Sequence, residues 1–196
     1  MGLSNDVVGI LKDEHCRSMD FYIAGLHVNG SGLAEVASQI DDGGIAVCGR
    51  DGMSTPGRYR NTRDELQVQN DLAGVLDDAQ NRALLVHEAV HALSDIRVSK
   101  KMTDLESESA AFIAQALYQL KYRKGKKWKS RVPIFVAALD VVVAKNLHEK
   151  TGETVAWEDY TDLRKAIQED PNYKNKDLSV SAGYDGIKKH SGERCR

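Results

Sequence analysis

The chain has 196 residues, of which 41% are hydrophobic and 29% charged, and its formal net charge at pH 7 is -2. This length fits one domain, or a core domain with an appended segment, and it can bury a sizeable core. The small net charge gives no indication that the whole molecule binds nucleic acid or a membrane surface.

The predicted elements of the front half alternate between helix and strand. Residues 4–13 are predicted as a short helix and Met19–Ala24 as a strand. Ser31 is suited to cap a helix over residues 32–40, whose apolar residues recur on one face, and Gly43–Gly44 would end that helix.

Two more strands are predicted before the middle of the chain. Ile45–Cys48 has the composition of a strand, and Glu65–Gln69 alternates like a strand with one solvated face. Between them, Gly49–Tyr59 is rich in Gly, Ser and Pro and is therefore predicted as a loop.

The back half of the chain has a helical pattern. The predicted helices cover residues 75–95, 104–122, 133–149 and 158–169. The third of these is strongly apolar, but its apolar run is too short for a membrane span and is interrupted by Asp140. A buried core helix is therefore the better interpretation, and no membrane partner is expected.

The order of these elements predicts an α+β fold. A small sheet would form in the N-terminal half, and the C-terminal half would be helical. Residues 1–170 would form a single domain, and residues 171–196, which are polar and without a clear period, a C-terminal extension that could pack on it.

The cysteines and the N-terminal residues bear on the compartment. Cys16, Cys48 and Cys195 are an odd number without CxxC spacing, which argues against a disulfide framework or a cysteine zinc site. Neither a signal peptide nor a myristoylation motif is visible. The sequence therefore predicts a cytoplasmic protein, or one that is delivered to a target cell without a cleavable signal peptide.

Residues 84–93, LLVHEAVHAL, place polar side chains in an apolar helix. His87, Glu88 and His91 form an HExxH motif. Residues four apart share one face of a helix, so both imidazoles can bind one metal ion, while Glu88 lies beside the ion and can activate a water on it. Zinc suits two imidazoles and an open coordination position.

The alternative is a helix with two hydrogen-bonded core histidines and a solvent-facing Glu88. The apolar surroundings favour the metal site, because unpartnered polar groups are costly to bury there. A bound metal would give both imidazoles a ligand role and the Glu88 carboxylate a water to activate.

The run HEAVHALSD, followed by DLESESAAFIAQAL, resembles the gluzincin branch of the zincin metallopeptidases. It is similar to the small bacterial members, some of which act as toxin domains, over residues 87–120. The resemblance implies one zinc ion per chain, held by the two motif histidines and a glutamate of the next helix. It also implies hydrolysis of a protein or peptide substrate, with Glu88 as general base and later proton donor.

Two glutamates compete for the third ligand position. Thr103-Asp-Leu-Glu106 has the pattern of a capping box, which gives Glu106 a structural task. Glu108 has no such task and occupies the glutamate position of the gluzincin-like run. We therefore expect Glu108 to be the ligand.

Two further roles in the site are predicted, a partner for a histidine ring and a donor to the oxyanion. Asp140, or Asp95 on the motif helix, could accept the free ring N–H of a zinc-bound histidine, unless a backbone or cationic partner satisfies it. Tyr184 or His190 could donate to the oxyanion, as a Tyr or His does in gluzincins.

Zincins bind substrate as a strand added to a sheet edge. Glu65–Gln69 and the preceding YRNTR, which contains Asn61, Thr62 and Arg63, are the candidates for that edge. The alternative is an ordinary exposed strand and turn.

The segment KYRKGKKWKSR has seven basic residues in eleven. A solvated loop is favoured over a nucleic-acid site, because the whole chain is slightly acidic.

The function that these features predict is a zinc metallopeptidase. A delivered toxin or effector protease, with an immunity or inhibitor protein as partner, is one alternative. A pseudo-enzyme that retains zinc for structure and acts by protein contact is another.

Overall fold

We analysed a computed structural model of the chain. The structure describes residues 2–53, 55–70, 76, 78–97, 101–124, 130–188 and 195. Within these ranges the fold is α+β, as predicted.

The helices of the described residues are α1 Leu3–Leu11, α2 Glu14–Arg17, α3 Gly30–Asp41, α4 Ala79–Ile96, α5 Asp104–Tyr122, α6 Pro133–Ala144 and α7 Thr161–Glu169. The strands are β1 Asp20–Ile23, β2 Leu26–Asn29, β3 Ala46–Arg50, β4 Gly57–Arg60, β5 Glu65–Gln69 and β6 Glu153–Val155. A 3-10 helix, Trp157–Tyr160, leads into α7.

The strands form two three-stranded sheets rather than one. The first has the order β2-β1-β6, with β1 antiparallel to β2 and parallel to β6. The second has the order β3-β5-β4, with β5 parallel to β3 and antiparallel to β4. Because β6 comes from the C-terminal half, the first sheet joins both halves of the chain.

Several predicted boundaries of helices and loops are wrong. Asn29, not Ser31, caps α3, because its side chain accepts a hydrogen bond from the Gly32 amide. The predicted loop Gly49–Tyr59 contains the start of β4 at Gly57. The predicted helix 133–149 ends at Ala144 and is followed by turns.

Helices α4 and α5 pack against each other at the centre of the molecule. Most residues of α5 are buried, and several of the buried residues are small, including Ser109, Ala110 and Ala111. Small side chains let two helix backbones approach closely. The predicted capping box is present: the Glu106 amide donates to Thr103 Oγ1, and the Thr103 amide donates to the Glu106 carboxylate.

The C-terminal segment, residues 181–188, lies on the domain without regular secondary structure. Ser181 forms a bridge with Thr103, and Tyr184 is buried in the core. The Asp185 and Gly186 amides donate to the carboxylate of Asp95 in α4 at 2.9 Å each. This segment is therefore held directly on the HExxH helix.

The cysteine prediction is wrong for two of the three residues. Cys48 in β3 forms a disulfide with Cys195, across 147 residues of sequence, while Cys16 is free and buried. An odd count leaves one cysteine over but does not prevent the others from pairing once the fold brings them together. Disulfides persist in oxidising compartments, so cysteine usage does not support a reducing one. No helix among the described residues is long and apolar enough to cross a membrane.

Candidate metal centre

The HExxH residues lie in the middle of α4, on the side that faces α5 and β4. Asp78 caps the start of this helix by accepting from the Gln80 amide. His87 and Glu88 are buried, with 5% and 6% of their surface exposed. The alternative of a solvent-facing Glu88 is therefore wrong.

Three ligand atoms converge between α4 and α5. His87 Nε2 lies 3.3 Å from His91 Nε2 and 3.5 Å from Glu108 Oε2, and His91 Nε2 lies 3.9 Å from Glu108 Oε1. Donor atoms around a tetrahedral zinc ion, at about 2.0–2.2 Å from it, lie about 3.3–3.6 Å apart. His87, His91 and Glu108 therefore form a group that could hold a metal ion.

Glu106 and Glu108, the two glutamates of α5, contact different groups. The Glu106 carboxylate accepts hydrogen bonds from the Thr103 amide and hydroxyl in the capping box. The Glu108 carboxylate instead reaches across to both imidazoles of α4. The structure thus brings together the ligand set that the sequence predicted.

The charges of this cluster favour a cation. Burial opposes ionisation of Glu108, but hydrogen bonding to His87, the electrostatic effect of both imidazoles and the hydrogen bond from Tyr173 outweigh it and lower the pKa of Glu108 to about 2. Burial lowers the pKa of His91. Burial also acts to lower the pKa of His87, but its hydrogen bond to Glu108 reverses this and raises the pKa. At neutral pH the cluster therefore offers an ionised carboxylate and a neutral His91.

The outer nitrogen of His91 is held by two hydroxyls that were not predicted for this role. His91 Nδ1 lies 2.9 Å from Ser107 Oγ and 3.0 Å from the Tyr184 hydroxyl, and these two oxygens lie 2.5 Å apart. Tyr184 was predicted as the oxyanion donor. Its hydroxyl contacts His91 Nδ1, on the side of the ring away from Glu108, and Tyr184 also lines the cavity. His190, the other candidate, lies outside the described residues.

Neither aspartate predicted as a histidine partner has that position. Asp140 is exposed, because α6 buries its apolar residues on the opposite side. Asp95 is buried, but its carboxylate accepts from the Tyr59 hydroxyl and from two backbone amides of the C-terminal segment. Both predictions are therefore wrong, and Asp95 has an anchoring role instead.

Strand β4 contacts the HExxH helix at Glu88. The Tyr59 amide donates to Glu88 Oε2 at 2.7 Å, and the Tyr59 hydroxyl donates to Asp95 Oδ2 at 2.9 Å, two turns further along α4. A Cβ atom at Gly57 would lie 3.3 Å from Glu88 Cγ, so the glycine permits this close approach. Glu88 is thereby held at the edge of the sheet.

The edge strand beside the HExxH helix is Gly57–Arg60 and does not include the predicted residues Asn61, Thr62 and Arg63. These three belong to the turn between β4 and β5, where the Asn61 side chain donates to the carbonyls of Ala182 and Gly183. Their polar composition suits a turn. The other predicted edge, Glu65–Gln69, is the central strand of this sheet and is buried on both faces, so the prediction of an edge with one solvated face is wrong for it.

Backbone groups of β4 face the cavity. The Gln69 amide donates to the Pro56 carbonyl. Alternation along an antiparallel pair then turns the backbone groups of Gly57 and Tyr59 away from β5. The outer edge of β4 therefore borders the ligand cluster.

Tyr173 is a site residue that sequence reasoning missed. Its hydroxyl donates to Glu108 Oε2 at 2.9 Å, and burial together with the charge of Glu108 raises its pKa. It lies in the stretch after α7, which has no periodicity and so gave no signal. The phenol is neutral at pH 7 and acts as a hydrogen-bond donor at the ligand cluster.

The ligand cluster opens into a cavity of about 510 Å³. Its lining includes the apolar side chains of Leu84, Phe112 and Phe135, and the Phe112 and His87 rings pack edge to face with their centroids 4.6 Å apart. The lining also includes the polar side chains of Asp104 and Lys176. The cavity therefore offers both apolar and polar side chains to a ligand.

The basic segment KYRKGKKWKSR lies partly outside the described residues, at positions 125–129. Lys121 donates to the His148 carbonyl, which is a structural contact. The prediction of a solvated loop at residues 125–129 concerns residues that the structure does not describe.

Comparison of the chain with protein-family models, with curated proteins and with solved structures found no match. The resemblance to gluzincins therefore rests on the motif residues and on their geometry.

Proposed function

We propose that the protein is a zinc-dependent metallopeptidase. The observation that carries the proposal is the convergence of His87, His91 and Glu108 beside Glu88, at the wall of an open cavity. Two imidazoles and one carboxylate are a donor set that zinc accepts in hydrolytic enzymes, which keep a fourth position open. The low pKa of Glu108 keeps its carboxylate ionised for this purpose.

Each residue of the site has a separate task. A bound zinc ion would lower the pKa of a water molecule toward about 7 and polarise the scissile carbonyl. Glu88 takes a proton from the attacking water and later gives it to the leaving nitrogen. The Tyr59 amide holds the Glu88 carboxylate in place for both transfers.

Tyr173 is the residue we assign as donor to the oxyanion. Its hydroxyl lines the cavity beside Glu108, whereas the Tyr184 hydroxyl is bonded to Ser107 and His91. A neutral phenol can stabilise negative charge that develops on the carbonyl oxygen. Tyr184 supports the His91 ring instead.

The substrate is a peptide in extended conformation. The Tyr59 amide is bonded to Glu88 and the Gly57 carbonyl to Thr55, so an added strand would pair with the other two outward groups of β4, the Gly57 amide and the Tyr59 carbonyl. The apolar side chains of Leu84, Phe112 and Phe135 suit an apolar side chain next to the scissile bond.

The test combines metal analysis with hydrolysis of a mixed peptide library by the purified protein. Wild type should contain about one zinc per chain and cleave peptides. Glu88→Gln should retain zinc and lose a factor of about 10²–10⁴ in rate, the usual size of a proton-transfer contribution. Glu149→Gln, which removes an exposed carboxylate, is the control and should leave both unchanged.

Two outcomes would reject this proposal. Protein prepared without chelator that contains no stoichiometric metal would remove the metal site. Full activity in Glu88→Gln would remove the general base, and it would favour a binding module that keeps the metal for structure.

The delivered-effector alternative is favoured by the disulfide between Cys48 and Cys195, because disulfides persist outside the reducing cytosol. Expression of the chain in a bacterial cytoplasm would test it. Growth arrest that Glu88→Gln relieves would identify a toxic peptidase, for which an inhibitory partner protein would be required in the producing cell.

A further inference from the structure

One face of α5 presents three side chains to His87 in successive turns. Glu108, Phe112 and Gln115 are spaced i, i+4 and i+7, so they point in the same direction. Glu108 Oε2 lies 3.5 Å from His87 Nε2, and the Phe112 ring centroid lies 4.6 Å from that of His87. Gln115 comes next along this face and lines the same cavity.

Two buried polar atoms of these side chains lack hydrogen bonds. Among the described residues, His87 Nδ1 and Gln115 Oε1 each have no partner that satisfies ordinary hydrogen-bond geometry. Gln115 is nevertheless a hydrogen-bonding neighbour of His87. Leaving two such groups without hydrogen bonds in a protein interior is costly in free energy. The imidazole nitrogen can donate a hydrogen bond when it carries the ring proton, and the amide oxygen can accept it.

The chemistry of the imidazole makes this pairing specific. If Nε2 of a neutral histidine binds a metal ion, the ring proton must be on Nδ1, which then needs an acceptor. For His91 the hydroxyls of Ser107 and Tyr184 fill this position. A carbonyl oxygen of a buried amide, as in Gln115, is suited to fill it for His87.

We propose that Gln115 is the positioning residue for His87. Its Oε1 accepts the Nδ1 proton, which fixes the ring orientation and the tautomer that leaves Nε2 free to bind the metal. This inference rests on the proposed metal site and extends it from the ligands to the residue that orients one of them.

The test measures zinc affinity by competition with a chromophoric chelator, using Zn²⁺ alone as the probe. Gln115→Leu should weaken zinc binding about 10- to 100-fold, as loss of an orienting partner does. Gln115→Glu restores an acceptor and should recover most of the affinity. Gln119→Leu is the matched control, because Gln119 is buried one turn further along α5 and does not line the cavity.

A second measurement does not depend on how the variants fold. In zinc-loaded wild type, nitrogen-15 NMR of the imidazoles should show His87 with its proton on Nδ1, protected from solvent exchange. A His87 ring protonated elsewhere, or an unprotected Nδ1 proton, would overturn the proposal.

The outcomes separate this inference from the proposed function. Wild type that binds no zinc would overturn both. Zinc binding by wild type with unchanged affinity in Gln115→Leu, or an equal loss in Gln119→Leu, would overturn the role of Gln115 and leave the metallopeptidase proposal standing.

Discussion

At the scale of single residues, the site depends on which polar groups are already engaged. Glu106 and Glu108 are two residues apart on α5, yet one closes a capping box and the other faces two imidazoles. Tyr173 is partly buried and Tyr184 is buried, and both line the cavity, yet the Tyr173 hydroxyl bonds to Glu108 and the Tyr184 hydroxyl contacts His91 Nδ1. Residue type alone does not distinguish the members of either pair.

We predict that Glu108→Ala will lower zinc affinity severely, because it removes one of three ligands. Glu106→Ala should retain zinc and lose about 1 kcal/mol of folding stability, the usual effect of a lost cap. Zinc titration and chemical denaturation of both variants would measure this. Metal lost only in the Glu106 variant would reverse the assignment.

We predict that Tyr173→Phe will lower kcat about 10²–10³-fold, as removal of an oxyanion donor does. Zinc should remain bound, because both imidazoles and Glu108 are intact. Steady-state kinetics and metal analysis would test this, with Tyr160→Phe as a control for the loss of a buried phenol. Unchanged turnover would place the oxyanion donor elsewhere.

We predict that zinc affinity will rise with pH and then level off above the raised pKa of His87. Below that pKa the ion must displace a proton from His87, so the logarithm of affinity should rise by about one per pH unit. Burial keeps His91 neutral, and Glu108, with a pKa of about 2, stays ionised. Chelator competition at several pH values would measure the slope, and a slope near zero or two would contradict this account.

At the scale of elements, the site lies where three elements meet. Helix α4 supplies the motif, α5 supplies Glu108, and β4 places its Tyr59 amide on Glu88. The small residues of α5 and Gly57 of β4 let these elements approach closely. The position of the Glu88 carboxylate therefore depends on the contact between β4 and α4.

We predict that Gly57→Ala will lower kcat by about tenfold and leave zinc content unchanged. The added Cβ would lie 3.3 Å from Glu88 Cγ, so strand or side chain must move by a few tenths of an ångström, and catalysis is sensitive to such displacements. Gly9→Ala is the control, because a Cβ there meets no atom within 4 Å. Normal turnover in Gly57→Ala would show that Glu88 tolerates the shift.

At the scale of the whole molecule, the C-terminal residues complete the site. The C-terminal segment brings Tyr184 to His91 and is anchored on Asp95, while Cys195 is joined to β3 through Cys48. Residues far apart in sequence therefore contact and support the HExxH helix.

We predict that Cys195→Ser will lower folding stability by about 2–4 kcal/mol, because the disulfide restricts a long loop of the unfolded chain. Denaturant titration would measure the loss, and reduction of wild type should reproduce it. Thiol titration of unfolded wild type should find one free cysteine, Cys16. Three free thiols in protein that was never exposed to reductant would contradict the pairing.

The sequence by itself determined those features that depend on near neighbours. It placed Glu65–Gln69 and α5 at their observed bounds, together with the capping box at Thr103 and Glu106. It also selected His87, His91 and Glu108, from the i, i+4 spacing of the histidines, the capping box that engages Glu106, and the resemblance of the run beginning at Glu108 to gluzincins.

Only the tertiary structure decided what supports those residues. Tyr184 is 93 residues from the His91 that it contacts, Tyr173 is 65 residues from Glu108, and Cys48 is 147 residues from Cys195. Strand β6 likewise became recognisable through its pairing with β1. Such contacts form when distant segments pack on a common core. Local periodicity and capping patterns do not predict which distant segment will make the contact.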